Sequence, residues 1–359
     1  MIKTAILGAT GIVGQQFVAA LDGHPWFKIE NLLTSPRSAG KRYDEALRNA
    51  NTGASEWFCD SSLPHSTGEI VTQDSSEFDP SKVDLVFSAL ESEQAKSLEP
   101  TYAKHTPIVS TASAFRYEPD TPIIIPGVNN GHVEALTIQR ERRAWKGFIV
   151  PIPNCTTTGL AISLKPLHVD YVVEAVVMTS MQAVSGAGRS AGVLALDITD
   201  NIIPFIPGEE AKVERETCKI LGDFRETFSP ADIKISCTCT RVDVREGHTE
   251  AVYVQTKERC TANEAKESMR RFSRSLAELD LPSAPPELLL VHEDSHRPQP
   301  RLDRDTNNGM TTTVGRLRED PVLGGVKYVL VSHNTKMGAA KGAVLVAELL
   351  HRKGWLQRR

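Results

Sequence analysis

Lys3-Thr4-Ala5-Ile6-Leu7-Gly8-Ala9-Thr10-Gly11-Ile12-Val13-Gly14 opens the chain, and its reading decides the fold. Residues 3–7 form a short apolar run ended by glycine, as expected of a buried strand. Val13, Phe17, Val18 and Leu21 then recur at helical spacing. Strand, glycine-rich turn and helix together make the context of a dinucleotide-binding loop. Glycines let the backbone approach a pyrophosphate, and the first N–H groups of the helix point at it. The spacing is G-x-x-G-x-x-G rather than G-x-G-x-x-G. It is the weaker form of the signature, and its position at the first strand gives it weight.

Working outward, a second strand is expected near Ile29 to Leu33. A fold that binds NAD usually ends this strand in an acid that holds the ribose 2′-hydroxyl. Here the end reads Thr34-Ser35-Pro36-Arg37-Ser38-Ala39-Gly40-Lys41. It has no acid, and Arg37 can form a bidentate contact with a 2′-phosphate, so the reading is NADP. Val83 to Ser88 and Pro107 to Ser110 read as further buried strands, the first running into Ser88-Ala89-Leu90-Glu91. Arg116 stands just beyond the second and is either an anion ligand or a surface arginine. Ile123 to Asn129 and Phe148 to Val150 complete an alternation that implies a doubly wound sheet over the first ~150 residues.

The chain of 359 residues is long enough for two domains. It is 40% hydrophobic and 24% charged, with a net charge of -4. No basic run is interleaved with aromatics, so nucleic acid is not an expected partner. No apolar run has the length of a membrane span. The N-terminus enters a strand directly and does not read as a signal peptide. The six cysteines lack zinc or disulfide-framework spacing, so no metal is expected and a reducing cytoplasm fits best.

Pro151-Ile152-Pro153-Asn154-Cys155-Thr156-Thr157-Thr158-Gly159-Leu160 closes the first half. The prolines keep the backbone extended and Asn154 is a good N-cap. Cys155 is therefore expected at a helix N-terminus, where unpaired N–H groups favour the thiolate that attacks carbonyl carbon. That helix is expected to end near Pro166. Beyond it lie Tyr171 to Ala183 with Gln182 near its end, the Ser185-Gly186-Ala187-Gly188-Arg189 loop, and a helical stretch from Leu194 to Ile203. A charged helix over Glu209 to Leu221 puts Glu209 and Lys212 on one face, read as a surface ion pair. Ile233 to Val244 reads as a strand with Cys237, Cys239 and Arg241 on one face. His248 to Gln255 is expected to return as its hairpin partner, with the His248 imidazole accessible beside the turn. A helix ends across Arg270 to Leu279, Met310 to Arg318 and Val326 to Val331 are strands, and Met337 to Lys353 is a helix. Cysteine, arginine and histidine together form the nucleophile, binder and acid/base set of acyl chemistry.

At Pro153-Asn154-Cys155-Thr156-Thr157 and Gly247-His248-Thr249-Glu250 the chain resembles the aspartate-semialdehyde dehydrogenases, in their archaeal and fungal branch. The resemblance also covers the glycine-rich turn, Ser185 to Gly188, Gly208 to Lys212, Arg241, Arg297-Pro298-Gln299-Pro300-Arg301 and Gly338-Ala339-Ala340. It implies an α/β protein with a Rossmann-type dinucleotide-binding domain, residues 1–154 with 334–359. An α+β catalytic and dimerisation domain with a mixed sheet would occupy residues 155–333. The implied reaction is the reversible NADPH-dependent reductive dephosphorylation of β-aspartyl phosphate to aspartate semialdehyde, in the biosynthesis of lysine, threonine and methionine. By matching motif positions, Cys155 is the nucleophile and His248 the general acid/base. Gln182 would orient the intermediate, Arg241 hold the substrate carboxylate and Glu209 its amino group. Lys212, Asn154 and Arg116 would form the phosphate site. Gly8, Thr10, Gly11, Ile12, Val13, Ser35, Arg37, Ser38, Ser88, Gly186 and Asn334 would touch NADP. A homodimer is implied, with a tetramer as the alternative. Arg189 departs from the branch, which often has tyrosine there. Malonyl-CoA reductase shares the cysteine, histidine and arginine motifs, N-acetyl-γ-glutamyl-phosphate reductase is a more distant sister, and a redox sensor using Cys155 is the non-enzymatic alternative.

Overall fold

A computed structural model describes residues 1–188 and 192–358, so Arg189 lies outside the described residues. Six parallel strands form the first sheet: β1 (Ile2–Leu7), β2 (Phe27–Thr34), β3 (Gln73–Asp74), β4 (Leu85–Ser88), β5 (Ile108–Ser110) and β6 (Ile149–Pro151). Their spatial order is β3-β2-β1-β4-β5-β6. β4 is buried along its whole length and β1 at all but Lys3, as strands covered on both faces must be. The order reverses between β1 and β4, which opens a crevice at their carboxyl ends. Helices α1 (Ile12–Leu21), α2 (Ser92–Ala103) and α3 (Ala135–Arg143) accompany this sheet. Ile123, Ile124 and Ile125 are buried but form no strand. The Asn129 side chain satisfies their backbone instead, accepting from Ile125 N at 2.8 Å and donating to Ile123 O at 2.7 Å.

Seven strands make the second sheet: β7 (Val173–Gln182), β8 (Ile202–Ile203), β11 (Lys234–Val242), β12 (His248–Thr256), β13 (Leu289–Val291), β14 (Thr312–Asp320) and β15 (Gly325–Ser332). The small hairpin β9 (Asp223–Phe224) and β10 (Phe228–Ser229) stands apart. The order β13-β14-β15-β12-β7-β11-β8 mixes parallel and antiparallel pairs. Helix α4 (Cys155–Tyr171) packs on β7, β12 and β15, flanked by α5 (Glu209–Leu221) and α6 (Ala262–Phe272). The last helix, α7 (Ala340–Arg352), returns to pack on α1 and β5.

Several expectations are corrected. Helix α4 does not stop at Pro166 but runs on to Tyr171. Nearly all of it from Thr156 to Leu167 is buried, and that packing outweighs the one N–H that proline lacks. β12 is not the hairpin partner of β11. β7 lies between them, parallel to β11 and antiparallel to β12. The crossed arrangement pairs Arg241 with Gln182 and Thr249 with Met181, so Arg241, Gln182 and His248 meet at one sheet end. The stretch expected to be helical from Leu194 holds a single turn, Ala195–Ile198, and then β8. Asp200 at φ 56 breaks the helix there. The helix over Arg270 ends at Phe272, and the last helix starts at Ala340 because Ala339 is non-helical at φ -148 and ψ -118.

Helix α5 finishes the far edge of β11 with its own carboxylates. Glu214 and Glu210 each accept a backbone N–H at 3.0 Å, from Cys237 and Cys239 respectively. Four residues of helix rise roughly 6 Å and two residues of strand roughly 6.8 Å, so the two ladders match. Among the described residues no helix is long and apolar enough to cross a membrane.

Candidate active site

The nucleophile helix begins as its sequence dictates. Asn154 is extended at φ -56 and ψ 146, and its side-chain oxygen accepts from Thr156 N at 2.9 Å and Thr157 N at 3.2 Å. Such a cap contributes about 1 kcal/mol to the helix. Cys155 is the first helical residue. Two glycines allow backbone to close around it. A Cβ on Gly338 would stand 2.8 Å from Cys155 Cβ, and one on Gly186 2.8 Å from Arg241 Nη1 and 3.1 Å from His248 Cε1.

Cys155 Sγ lies 3.2 Å from His248 Nε2. The other ring nitrogen, Nδ1, accepts the Ala183 backbone N–H at 3.1 Å. A neutral ring so held carries its proton on Nε2 and directs it at the sulfur. His248 is not accessible, as its place beside a turn suggested. It starts a central strand and is fully buried. Burial, with Arg241 and His333 nearby, pushes it down to about 3.

The thiol corrects the sequence reading as well. Asn154 takes up the Thr157 N–H and shares the Thr156 N–H, the groups that were expected to favour a thiolate. Cys155 is half-buried and lines the cleft. Desolvation and Glu209 push the thiol up to about 12, against the pull of Arg116, Arg241 and the Thr156 N–H. Both shifts favour thiol and neutral imidazole over an ion pair.

The charged groups around the cysteine come from three elements. Arg116 is no surface arginine. It is buried, with Nη1 2.9 Å from Glu216 Oε1 and Nη2 donating to Thr111 O at 3.1 Å. Glu209 is buried at the first turn of α5, where its Oε1 accepts from Asn154 Nδ2 at 2.8 Å. Lys212 Nζ stands 3.6 Å from its other oxygen, so this pair faces the cleft rather than the surface. Arg241 is buried on β11 and donates from Nη1 to Ala183 O at 2.9 Å. Gln182 is buried beside it, donating to Ser180 Oγ at 3.2 Å, and does not line the cleft.

One cleft of about 680 Å³ joins these groups to the crevice of the first sheet. Ile12, Val13, Arg116, Asn154, Cys155, Gly186, Glu209, Lys212, Arg241 and Asn334 line it. Beyond the Ile12 and Val13 end of the lining, Gly8 takes φ 83, with Ala89 O 2.9 Å from where its Cβ would stand, and Gly11 is the N-cap of α1 and offers no side-chain cap. A left-handed glycine and an uncapped helix N-terminus suit a dinucleotide pyrophosphate. Thr10 lies in the same turn and sends its carbonyl to Gln15 Nε2 at 3.0 Å. Ser88 is buried at the end of β4, beside the Glu99 carboxyl. Ser35 and Arg37 are exposed beyond β2, and Ser38 is buried with its carbonyl accepting from Thr72 Oγ1 at 2.6 Å. These three stand off the cleft lining. Asp74, which pairs with Thr34 at the strand end, is taken up by Ser76 N at 2.8 Å and Ser76 Oγ at 2.7 Å. Asn334 joins two loops, accepting from Gly247 N at 2.9 Å and donating to Ser185 Oγ at 2.8 Å.

Sequence reasoning missed Glu216 and Lys219. The signal was present, because Glu209, Lys212 and Glu216 are spaced three and four apart on one helical face. It also quoted Glu250 only as part of a motif. Glu250 is fully buried under Gly159, and among the described residues neither of its carboxyl oxygens has a partner. Burial raises it well above the usual carboxylate range.

A Rossmann-type crevice joined to the Cys155–His248 pair has the parts of a dinucleotide-dependent dehydrogenase. Two family models agree with that class. Residues 3–136 match the semialdehyde dehydrogenase NAD-binding domain, and residues 164–337 match the semialdehyde dehydrogenase dimerisation domain. Aspartate-semialdehyde dehydrogenase of Methanothermobacter thermautotrophicus is 42% identical, covering 98% of this chain and 99% of that one. The Archaeoglobus fulgidus enzyme of that name is 46% identical over 97% of each. Among solved structures, aspartate semialdehyde dehydrogenase with NADP from Candida albicans superposes with a TM-score of 0.89. It is 37% identical, with 99% of this chain and 100% of that chain covered. This chain belongs to the aspartate-semialdehyde dehydrogenase family.

Proposed function

We propose that the chain catalyses the reversible reductive dephosphorylation of β-aspartyl phosphate to aspartate semialdehyde, with NADPH as reductant, in aspartate-family amino-acid biosynthesis. The observation that carries the reading is the Cys155–His248 pair at 3.2 Å, opening on a cleft with Arg116, Lys212 and Arg241. Family membership fixes the substrate class, and the relative from Vibrio cholerae, 27% identical with a TM-score of 0.76, was solved complexed with ASA.

In the reductive direction Cys155 Sγ attacks the acyl carbon, the S–C bond forms, and the C–O bond to phosphate breaks. Arg116, Lys212 and Asn154 receive the phosphate. Arg241 holds the substrate carboxylate and Glu209 its ammonium group. As the S–C bond forms, the thiol proton passes to His248 Nε2, which requires the ring proton to move to Nδ1 at the cost of its contact with the Ala183 N–H. The imidazolium so formed donates to the oxygen that becomes anionic when the thioester is reduced, and the proton returns to the sulfur as the aldehyde leaves. Gln182, paired with Arg241 in the sheet and off the cleft lining, would orient the intermediate only through Arg241. NADP when bound supplies or takes up the hydride.

Gly8, Thr10, Gly11, Ile12 and Val13 would cradle its pyrophosphate, Ser35, Arg37 and Ser38 its 2′-phosphate, and Ser88, Gly186 and Asn334 its nicotinamide end. The cofactor domain would comprise residues 1–154 with 334–359, and the catalytic and dimerisation domain residues 155–333. The protein is a homo-oligomer acting on a small molecule. A dimer built through the second domain suits the exposed Val177, Ile202 and Phe205 there. The cytoplasm is the compartment proposed.

The test is NADPH formation from aspartate semialdehyde, phosphate and NADP. Turnover should require phosphate and prefer NADP to NAD. Turnover that ignores phosphate, or runs only with a coenzyme A thioester in the reverse direction, would overturn the reading.

A further inference from the structure

Three hydrogen-bond donors converge on the fully buried carboxylate of Glu216. Its Oε1 accepts from Arg116 Nη1 at 2.9 Å and from Tyr117 OH at 3.2 Å. Its Oε2 accepts the Asn154 backbone N–H at 2.6 Å. One side chain therefore joins an arginine of the anion site to the residue that caps the Cys155 helix. A glutamine could not replace it. An amide offers one acceptor and one NH2, and that NH2 would always face a donor.

The rest of α5 acts in the same sense. Lys219 Nζ, three residues on, donates to the carbonyls of Arg116 at 2.8 Å, Glu118 at 3.0 Å and Thr121 at 2.7 Å. The helix thus grips Arg116 by its side chain through Glu216 and by its backbone through Lys219. Arg116 still has a donor to spare, since among the described residues its buried Nε has no partner. Removing one member of a buried charge pair leaves the other desolvated and uncompensated, so the arrangement is not neutral to lose.

We propose that Glu216 is a positioning residue for the leaving-phosphate site, holding Arg116 and the Asn154 cap in one arrangement so that phosphate and Cys155 share a fixed geometry. The inference rests on the acyl-phosphate reading of the cleft. Glu216 touches neither substrate nor sulfur and acts through Arg116 and Asn154. It also balances the arginine charge at a site that phosphate must both enter and leave in every cycle.

The experiment uses the purified full chain carrying Glu216→Gln. The KM for phosphate should rise at least about tenfold, the loss of a charge-assisted contact, while that for aspartate semialdehyde stays within about twofold. Arg116→Lys placed in both backgrounds should add little to the phosphate KM once Glu216 is gone, because residues acting through one another are not additive. A folded Glu216→Gln protein with a wild-type phosphate KM would overturn the proposal, as would equal rises for both substrates. Glu216→Asp, which keeps the charge but cannot span Arg116 and Asn154, carries the same test if the amide variant does not fold. Protection of Cys155 from iodoacetamide by inorganic phosphate reads the site without turnover. If wild type shows protection but no phosphate-dependent turnover, the function fails while this inference stands on weaker protection in Glu216→Gln. Equal protection in both proteins removes the inference alone.

Discussion

Replacing Gly14 by alanine separates a glycine that packs from one that binds. A Cβ at position 14 would stand 2.3 Å from Gly8 O and 2.7 Å from Ala9 Cα. Ordinary contact begins near 3.4 Å, so helix and turn must part by about 1 Å. The turn cannot yield. Gly8 N and Ala9 N both donate to Leu33 O at 3.0 Å, and Gly8 lies against Ala89 O. The start of α1 must therefore move, at a cost of roughly 1–3 kcal/mol in stability. The same shift misaligns the N–H groups aimed at the pyrophosphate, and losing one charge-assisted bond weakens NADPH binding at least about tenfold. Gly11→Ala is the control. Its φ is -71 and the nearest atom to a new Cβ is Gly8 O at 3.5 Å. Stability should hold, or gain about 0.4–1 kcal/mol from the stiffer unfolded chain. Its methyl still stands at the helix mouth, so NADPH affinity should fall. Fluorescence titration with NADPH and thermal unfolding of both variants decide the matter. Gly14→Ala with wild-type affinity and wild-type unfolding temperature would refute the reasoning.

Iodoacetamide alkylation of Cys155 should rise about tenfold per pH unit from pH 6 to 9 without a plateau, because a thiol raised to about 12 yields more thiolate at every step. Glu209→Gln removes the neighbouring negative charge, lowers the thiol's pKa and should speed alkylation at pH 7.5; a plateau below pH 8 or a slower variant would contradict this. Arg37→Ala should weaken NADPH binding about tenfold and leave NADH binding nearly unchanged, as read by titration with each. Arg241→Lys should raise the KM for aspartate semialdehyde about tenfold and spare that for phosphate, since an ammonium cannot reproduce the guanidinium fork.

The nucleotide half of the fold was legible because its signals are local. Strand, glycine turn and helix follow one another between Lys3 and Leu21, and each carries its own pattern. The Asn154 cap was legible for the same reason. The β11–β12 relation was not. A polar turn between two alternating runs reads as a hairpin, yet insertion of β7 between them depends on a strand some 60 residues earlier. His248 was misjudged as accessible on that account, since burial follows from its place between β7 and β15. The state of Cys155 was misjudged for a different reason. Sequence shows a helix N-terminus but not that Asn154 consumes its donors or that Glu209 faces the sulfur. Glu216 escaped notice because a glutamate in a charged helix reads as solvated, and its burial comes from the loop carrying Arg116 and Tyr117.

The central claim is a covalent acyl group on one named sulfur. The direct measurement is intact-protein mass spectrometry after mixing enzyme with β-aspartyl phosphate in the absence of NADPH, followed by peptide mapping. The expected result is a mass increase of one aspartyl group on the peptide holding Cys155, absent from Cys155→Ala and discharged when NADPH is added. Steady turnover with no adduct at any time, or turnover that survives Cys155→Ala, would contradict the covalent mechanism.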